Sequence, residues 1–290
     1  MIAKQDILKN VRKIGLRSQW ISDSYFAGQF RTAFKGTGIR LKEVREYQPG
    51  DDVRFIDWNV TARHGQPYVK VFEEERDLPV YLLADISAST HFGSTRSKKE
   101  LIAQVIADLT FSAISVNQSV GLVLFSSRIE LMVKPNKTYD HFLYLVTKFV
   151  EYEPSNTQTD LSKVLQDLSN ILPKRSLIFV ISDFADQGYE NALCLLSQKH
   201  NVIGLQIYDL LDQELPISGW LQISDPENGD PVFVNVSKMA GRHQYARQFS
   251  ELSSYAGSAF KKAGNGFIRL RCDEDHIPAL QELFLSKVKG

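Results

Sequence analysis

Two five-residue runs constrain this chain more than any other feature. Val80-Tyr81-Leu82-Leu83-Ala84 and Leu177-Ile178-Phe179-Val180-Ile181 contain no charge, no glycine and no proline. They are apolar at every position and too short for independent helices, so they read as strands buried on both faces. Residues 120–125 and 202–207 are also mainly apolar runs, broken only by Gly121, Gly204 and Gln206. Between the runs lie stretches of helical periodicity at 97–116, 139–151, 160–171 and 189–199. Strands alternating with helices imply a mainly parallel sheet with helices on both faces. Residues 129–133 follow the second strand after only Ser126-Ser127-Arg128, a hairpin-length link, so this third strand is expected to run antiparallel. A second hairpin is expected at 220–223 and 232–236, around the turn Pro226-Glu227-Asn228-Gly229. A helix at 240–262, a strand at 267–270 and a helix at 277–288 complete the reading. The expected fold is a doubly wound α/β sheet of order 3-2-1-4-5-6.

In open sheets of this kind, ligands bind beyond the carboxyl ends of the strands, where the order reverses. The first strand runs directly into Asp85-Ile86-Ser87-Ala88-Ser89, and the fourth into Ser182-Asp183. In the expected order these two strands are neighbours, so Asp85 and Asp183 converge. Two carboxylates at one point repel unless a positive charge lies between them. Ser87 and Ser89 add hydroxyl oxygens at alternate positions, and Thr159 adds another just before a helix. An all-oxygen set suits a hard divalent cation, Mg²⁺ first, with Mn²⁺ or Ca²⁺ compatible with the same donors. Taken singly, each residue has a plainer explanation. Asp85, Ser87 and Ser89 favour turns and caps, Thr159 can cap the helix with Asp160 in its first turn, and Asp183 can be a loop carboxylate. The five together, at two neighbouring strand ends, favour metal.

This set resembles the metal-ion-dependent adhesion site of von Willebrand factor A domains, with Asp85, Ser87, Ser89, Thr159 and Asp183 at its five positions. The upstream segment Val44-Arg45-Glu46-Tyr47-Gln48-Pro49-Gly50-Asp51-Asp52-Val53-Arg54-Phe55-Ile56-Asp57-Trp58, followed by Thr61-Ala62-Arg63, closely resembles the signature of bacterial domain-of-unknown-function family fifty-eight. The likeness runs from about residue 28 to the end. It implies a von Willebrand A-like domain that works beside a MoxR-type AAA+ ATPase. It also implies a metal that accepts a carboxylate from that ATPase or from a client protein which the pair remodels or matures. Many relatives carry membrane-spanning segments before this region. No apolar run here approaches the ~20 residues that a span requires.

The expected organisation is an amphipathic helix within 1–27, a small turn-rich β subdomain at 28–78, and the von Willebrand A-like domain at 79–290. In the first, Ile7, Leu8, Val11 and Ile14 share one face, with Lys9, Arg12, Lys13 and Arg17 on the others. Docking on its own domain is the preferred reading, and peripheral contact with an anionic membrane the other. In the second, the mixed charges of Arg45, Glu46, Asp51, Asp52, Arg54, Asp57 and Arg63 read as an internal ion-pair network, with Phe55 and Trp58 packing the subdomain onto the sheet domain.

Charge argues against nucleic acid as a partner, because 34 Lys+Arg balance 34 Asp+Glu. Charges interrupt the opening residues, so they do not read as a signal peptide, and the expectation is a cytoplasmic protein. Cys194 and Cys272 are not in a CxxC pair and read as free thiols. The six histidines are scattered and read mostly as surface or capping residues. Catalytic and nucleotide signatures are missing: there is no GxxxxGK[ST], HExxH or GxSxG. No catalytic residue and no organic cofactor are therefore assigned, and a protein-interaction module is the leading class. The alternative is a metal-dependent phosphohydrolase or phosphotransferase with Asp85 as central carboxylate. A second Asp two residues on would serve as its acid/base, but that position is Ser87.

Overall fold

Six strands form the main sheet of the computed structural model, which describes residues 38–75, 78–156, 158–215, 220–224, 231–235 and 239–288. The helix expected within 1–27 and the turn 226–229 lie outside the described residues. The chain divides into two compact units between Leu78 and Pro79.

The smaller unit holds β1 (Gly38–Glu46), α1 (Trp58–His64) and β2 (Tyr68–Glu75), with β1 and β2 paired antiparallel. Its polar residues hold the connections. Arg45 makes a two-pronged pair with Asp51 at 2.8 and 2.9 Å, closing the Gln48–Asp51 turn. Asp52 pairs with Arg54. Asp57 caps α1 by accepting the amides of Asn59 and Val60, and it also meets Lys70 at 3.4 Å. Gly65, at φ 72, ends α1 in the left-handed conformation that glycine adopts without strain. Trp58 and Phe55 are exposed at 71% and 45%.

In the larger unit the sheet contains β3 (Val80–Asp85), β4 (Val120–Phe125), β5 (Ile129–Asn136), β6 (Leu177–Ser182), β7 (Asn201–Tyr208) and β10 (Gly266–Arg271). Its order is β10-β7-β6-β3-β4-β5. Numbered within the sheet, this is 3-2-1-4-5-6, and only β5 runs antiparallel. Every residue of β3, β4 and β6 is buried, which explains their lack of alternation. A short hairpin of β8 (Trp220–Ser224) and β9 (Pro231–Asn235) stands apart.

The helices are α2 (Lys98–Ser115), α3 (Tyr139–Glu151), α4 (Leu161–Ile171), α5 (Glu190–Lys199), α6 (Leu210–Gln213), α7 (Met239–Lys262) and α8 (Ile277–Val288). Odd-numbered core positions of β3 and even-numbered ones of β6, such as Leu83 and Val180, pack with Leu165 of α4, Leu193 of α5 and Phe260 of α7. On the other face, α2 packs across β3, β4 and β7, and Phe284 of α8 meets Phe179 edge-on. A capping box starts α2: Ser97 accepts the Glu100 amide and Glu100 accepts the Ser97 amide. Such a cap is worth about 1 kcal/mol and fixes where the helix begins. Just upstream, a Cβ on Gly93 would lie 2.1 Å from the Arg96 carbonyl oxygen, so the loop requires a glycine to close.

Two of the six histidines depart from the surface reading. His276 is buried and sits 2.7 Å from Asp108, and His200 is buried at the end of α5. Both cysteines are free, and burial pushes the Cys272 thiol up to about 12.

Candidate metal centre

Asp85 is the last residue of β3, and Asp183 immediately follows β6. These strands are parallel neighbours, with Ala84 opposite Ile181. Sheet order reverses between them, so both carboxylates emerge at the crevice. Asp85 is fully buried. Its Oδ1 accepts the Ser87 amide at 2.8 Å, and its Oδ2 accepts the Ser182 hydroxyl at 2.7 Å. Ser182 Oγ in turn accepts the Phe184 amide at 3.1 Å, so both oxygens of Asp85 are oriented by its neighbours.

Ser87 and Ser89 lie on the short 3-10 turn that follows β3. The Thr90 amide and hydroxyl both donate to the Ser87 carbonyl and close this turn. It sets the Ser87 and Ser89 hydroxyl oxygens 3.1 Å apart. The Ser89 hydroxyl also helps to hold the Asp183 carboxylate in its charged form. Asp85, Ser87, Ser89 and Asp183 thus form one connected cluster.

Asp183 is aimed by a strained backbone. Phe184 has φ 54, in the left-handed region that costs a non-glycine residue of order 1 kcal/mol. Packing holds it there: the ring is buried edge-on against Phe260 at 5.4 Å and Phe267 at 5.6 Å. Buried Gln206 donates to the Asp183 carbonyl at 3.0 Å and accepts the Ser253 hydroxyl at 2.7 Å, tying this turn to α7.

Thr159 is not joined to the cluster by a hydrogen bond among the described residues. The cap of α4 is Asp160, which accepts the Lys163 amide, so Thr159 lies one residue outside the capping position read from the sequence. Its loop is nevertheless tethered to the same end of the sheet. The Asp160 amide donates to the Ser126 carbonyl just past β4, and Asn156 donates to Ser127.

Sequence reasoning missed the nearest positive charge. Lys98, at the start of α2, is buried with its ammonium 3.2 Å from Asp183 and 2.9 Å from Asp212 of α6. The signal was present: Lys98 shares the apolar stripe of Leu101, Ile102 and Val105. A cavity of about 210 Å³ opens beside it, bounded by Gln206, Asp212, Tyr245 and Phe249.

The electrostatics divide the two carboxylates. Burial, and then the charge of Asp183, push Asp85 up to about 6, against the hydrogen bonds from Ser87 and Ser182. Burial also works to raise Asp183, but the Lys98 ammonium, the Ser89 hydroxyl and the Ala185 amide outweigh it and hold Asp183 below its ordinary value. Lys98 is driven the other way: burial would lower it, yet Asp183 and Asp212 raise it, so it stays charged.

The donor set fits a hard cation. Two carboxylates and two hydroxyls are gathered at these two strand ends, and the mutual repulsion of Asp85 and Asp183 is what a divalent ion would relieve. No group of three or more His, Cys, Asp or Glu that could hold a metal occurs among the described residues, so hydroxyl ligands are indispensable here. Asp85, Ser87, Ser89 and Asp183 would hold the ion, with Thr159 the reserve ligand from the facing loop.

The sequence pattern described as "Protein of unknown function DUF58" matches residues 43–254. The chain belongs to this family. Across it, the protein is similar to the uncharacterized protein Rv1480 of Mycobacterium tuberculosis, 26% identical over 272 residues that cover 92% of this chain and 86% of that one. It is also similar to the uncharacterized protein YeaD of Bacillus subtilis, 34% identical over 79 residues, 27% of this chain and 18% of that one. Among solved structures, BatB from Bacteroides thetaiotaomicron is 16% identical with a TM-score of 0.46, covering 73% of this chain and all of that one. Proximal thread matrix protein 1 of the mussel byssus, in a structure described as having a zinc-occupied MIDAS motif, is 17% identical with a TM-score of 0.36 over 45% of this chain and 38% of that one. Likenesses this distant carry no argument about function. No helix among the described residues is long and apolar enough to cross a membrane.

Proposed function

We propose that this DUF58 protein is a metal-dependent protein-interaction module. A divalent cation, Mg²⁺ first, would sit on Asp85, Ser87, Ser89 and Asp183, with Thr159 direct or through water. The observation that carries this reading is the convergence of two carboxylates and two hydroxyls at the reversal point of the sheet, with Asp85 buried and both its oxygens oriented. Neutral hydroxyls leave a bound cation under-neutralised, so it attracts one further carboxylate, supplied by a partner. Protein closing over that contact excludes water and strengthens it.

The family resemblance supplies the candidate partner, a MoxR-type AAA+ ATPase or a client the pair acts on. No nucleotide loop occurs in this chain, so the energy for remodelling would come from the ATPase. The phosphotransfer alternative is weaker because the position two residues after Asp85 is Ser87, which serves the cluster as a hydroxyl and cannot act as a carboxylate acid/base. The test is capture of the neighbouring ATPase by immobilised protein in Mg²⁺ and in EDTA. Retention in Mg²⁺ that is lost in EDTA and in Asp85→Asn supports the reading. Equal retention in all three, by folded protein, overturns it.

A further inference from the structure

A buried lysine beside a cation site needs an explanation. Lys98 places a fixed positive charge on a carboxylate that a metal would also use. It does not contribute a ligand, since an ammonium has only donors. It is also not simply neutralised by Asp183, because its shorter contact, 2.9 Å, is to Asp212. Asp212 is itself held in place. It belongs to the one-turn helix α6, where its carboxylate accepts the Asp209 amide at 2.8 Å. Buried Asp209 accepts the amide and the hydroxyl of Ser94 at 2.9 Å each, which locks this turn to the loop leading into α2. Lys98 is therefore suspended between two anchored carboxylates on two different loops, of which only Asp183 belongs to the oxygen cluster.

We infer that Lys98 is a built-in competitor for the metal, and that Asp212 is the counter-ion which draws it away from Asp183. The inference rests on the metal reading of the cluster. Two effects follow from charge alone. First, the ammonium takes one oxygen of Asp183 and repels an incoming cation, so the site binds metal more weakly than its ligands would allow. Second, because Asp183 is already shared, the bound ion keeps more of its positive charge for a ligand outside the chain. Lys98 thus trades metal affinity for affinity toward a partner's carboxylate. The ammonium lies within ion-pair distance of both carboxylates at once, 2.9 Å from Asp212 and 3.2 Å from Asp183. Asp212 tunes the balance: the more strongly it holds Lys98, the freer Asp183 is to ligate.

The signs of the two substitutions separate this role from a purely structural one. Calorimetric titration of MnCl₂ into the full chain at pH 7.5 compares wild type, Lys98→Met, Asp212→Asn and Asp85→Asn. Lys98→Met removes the competitor, so its Mn²⁺ affinity is expected to rise by roughly tenfold or more, the size expected for one buried charge acting on a divalent ion. Asp212→Asn leaves Lys98 wholly on Asp183, so its Mn²⁺ affinity is expected to fall by roughly tenfold. A structural role for the ion pairs would lower the affinity in both variants. Circular dichroism shows which variants are folded, and if Lys98→Met folds poorly, Lys98→Gln, which removes the charge but keeps a polar end, is read for the same rise in affinity. Unchanged or tighter Mn²⁺ binding in Asp212→Asn overturns the inference, as does weaker binding in a folded Lys98→Met. Neither result touches the site itself, provided that wild-type binding is lost in Asp85→Asn. Absence of any Mn²⁺ binding that depends on Asp85 would overturn both the inference and the site.

Discussion

Replacing Asp85 with asparagine should make the metal-free protein more stable at neutral pH, although it should destroy the site. Asp85 is fully buried, and burial together with the charge of Asp183 moves it from 3.8 to about 6. A shift of about two pH units corresponds to roughly 3 kcal/mol between the two protonation states. The folded form binds the Asp85 proton more tightly than the unfolded chain does. Stability therefore falls as pH rises from about 4 to about 6, and above 6 the full penalty is present. Asparagine carries no charge and escapes it. Its side-chain oxygen can still accept the Ser87 amide, but its NH₂ now faces the Ser182 hydroxyl that donated to Oδ2. Losing that hydrogen bond costs about 1 kcal/mol. The net expectation is a gain of about 2 kcal/mol at pH 8 in EDTA, turning to a small loss at pH 4, where Asp85 is protonated in the folded state and only about half ionised in the unfolded chain. Urea unfolding at the two pH values, followed by fluorescence, measures it. A variant that is destabilised equally at pH 8 and pH 4 would refute the reasoning, because it would mean that no buried charge is being relieved.

Metal affinity should depend on the same ionisation: below about pH 6 a proton competes for Asp85, and Mn²⁺ binding should weaken by roughly tenfold per pH unit, readable by calorimetry between pH 7.5 and 5. A flat profile would place the metal elsewhere. Phe184→Ala should lose about 3–5 kcal/mol of stability in urea unfolding, since it empties a packed aromatic site and frees the strained turn that aims Asp183; a loss below 1 kcal/mol would show that the packing does not hold the turn. Ser97→Ala should cost about 1 kcal/mol through the capping box and leave Mn²⁺ affinity unchanged, with a large affinity change contradicting its assignment as a cap. Purified protein with Mg²⁺ should show no phosphatase or ATPase rate that disappears in Asp85→Asn, and a reproducible rate abolished by that change would restore the enzyme reading.

The sheet was legible because β3, β4 and β6 are buried on both faces, which leaves no room for polar residues in the runs. The antiparallel β5 followed from its short connection, while the order 3-2-1-4-5-6 was taken as one of those common to doubly wound sheets. Asp85 and Asp183 were legible as the first carboxylates beyond the apolar runs of two neighbouring strands. The place of Lys98 on an apolar helix stripe pointed to burial, but its ion pairs were not legible, because its partners Asp183 and Asp212 are 85 and 114 residues away. Asp212 sits in a one-turn helix too short to carry a periodic signal. The strained φ of Phe184 was equally invisible, since only tertiary packing against Phe260 and Phe267 sustains it.

The central claim is that Asp85, Ser87, Ser89 and Asp183 hold a divalent cation at the sheet reversal. Crystals grown with MnCl₂, measured near the manganese absorption edge, test it most directly. The account predicts one strong anomalous peak between Asp85 and Asp183, within about 2.0–2.4 Å of at least one carboxylate oxygen and the Ser87 and Ser89 hydroxyls, with Thr159 in the inner shell or one water away. A fully occupied manganese elsewhere, with none between Asp85 and Asp183, would contradict it.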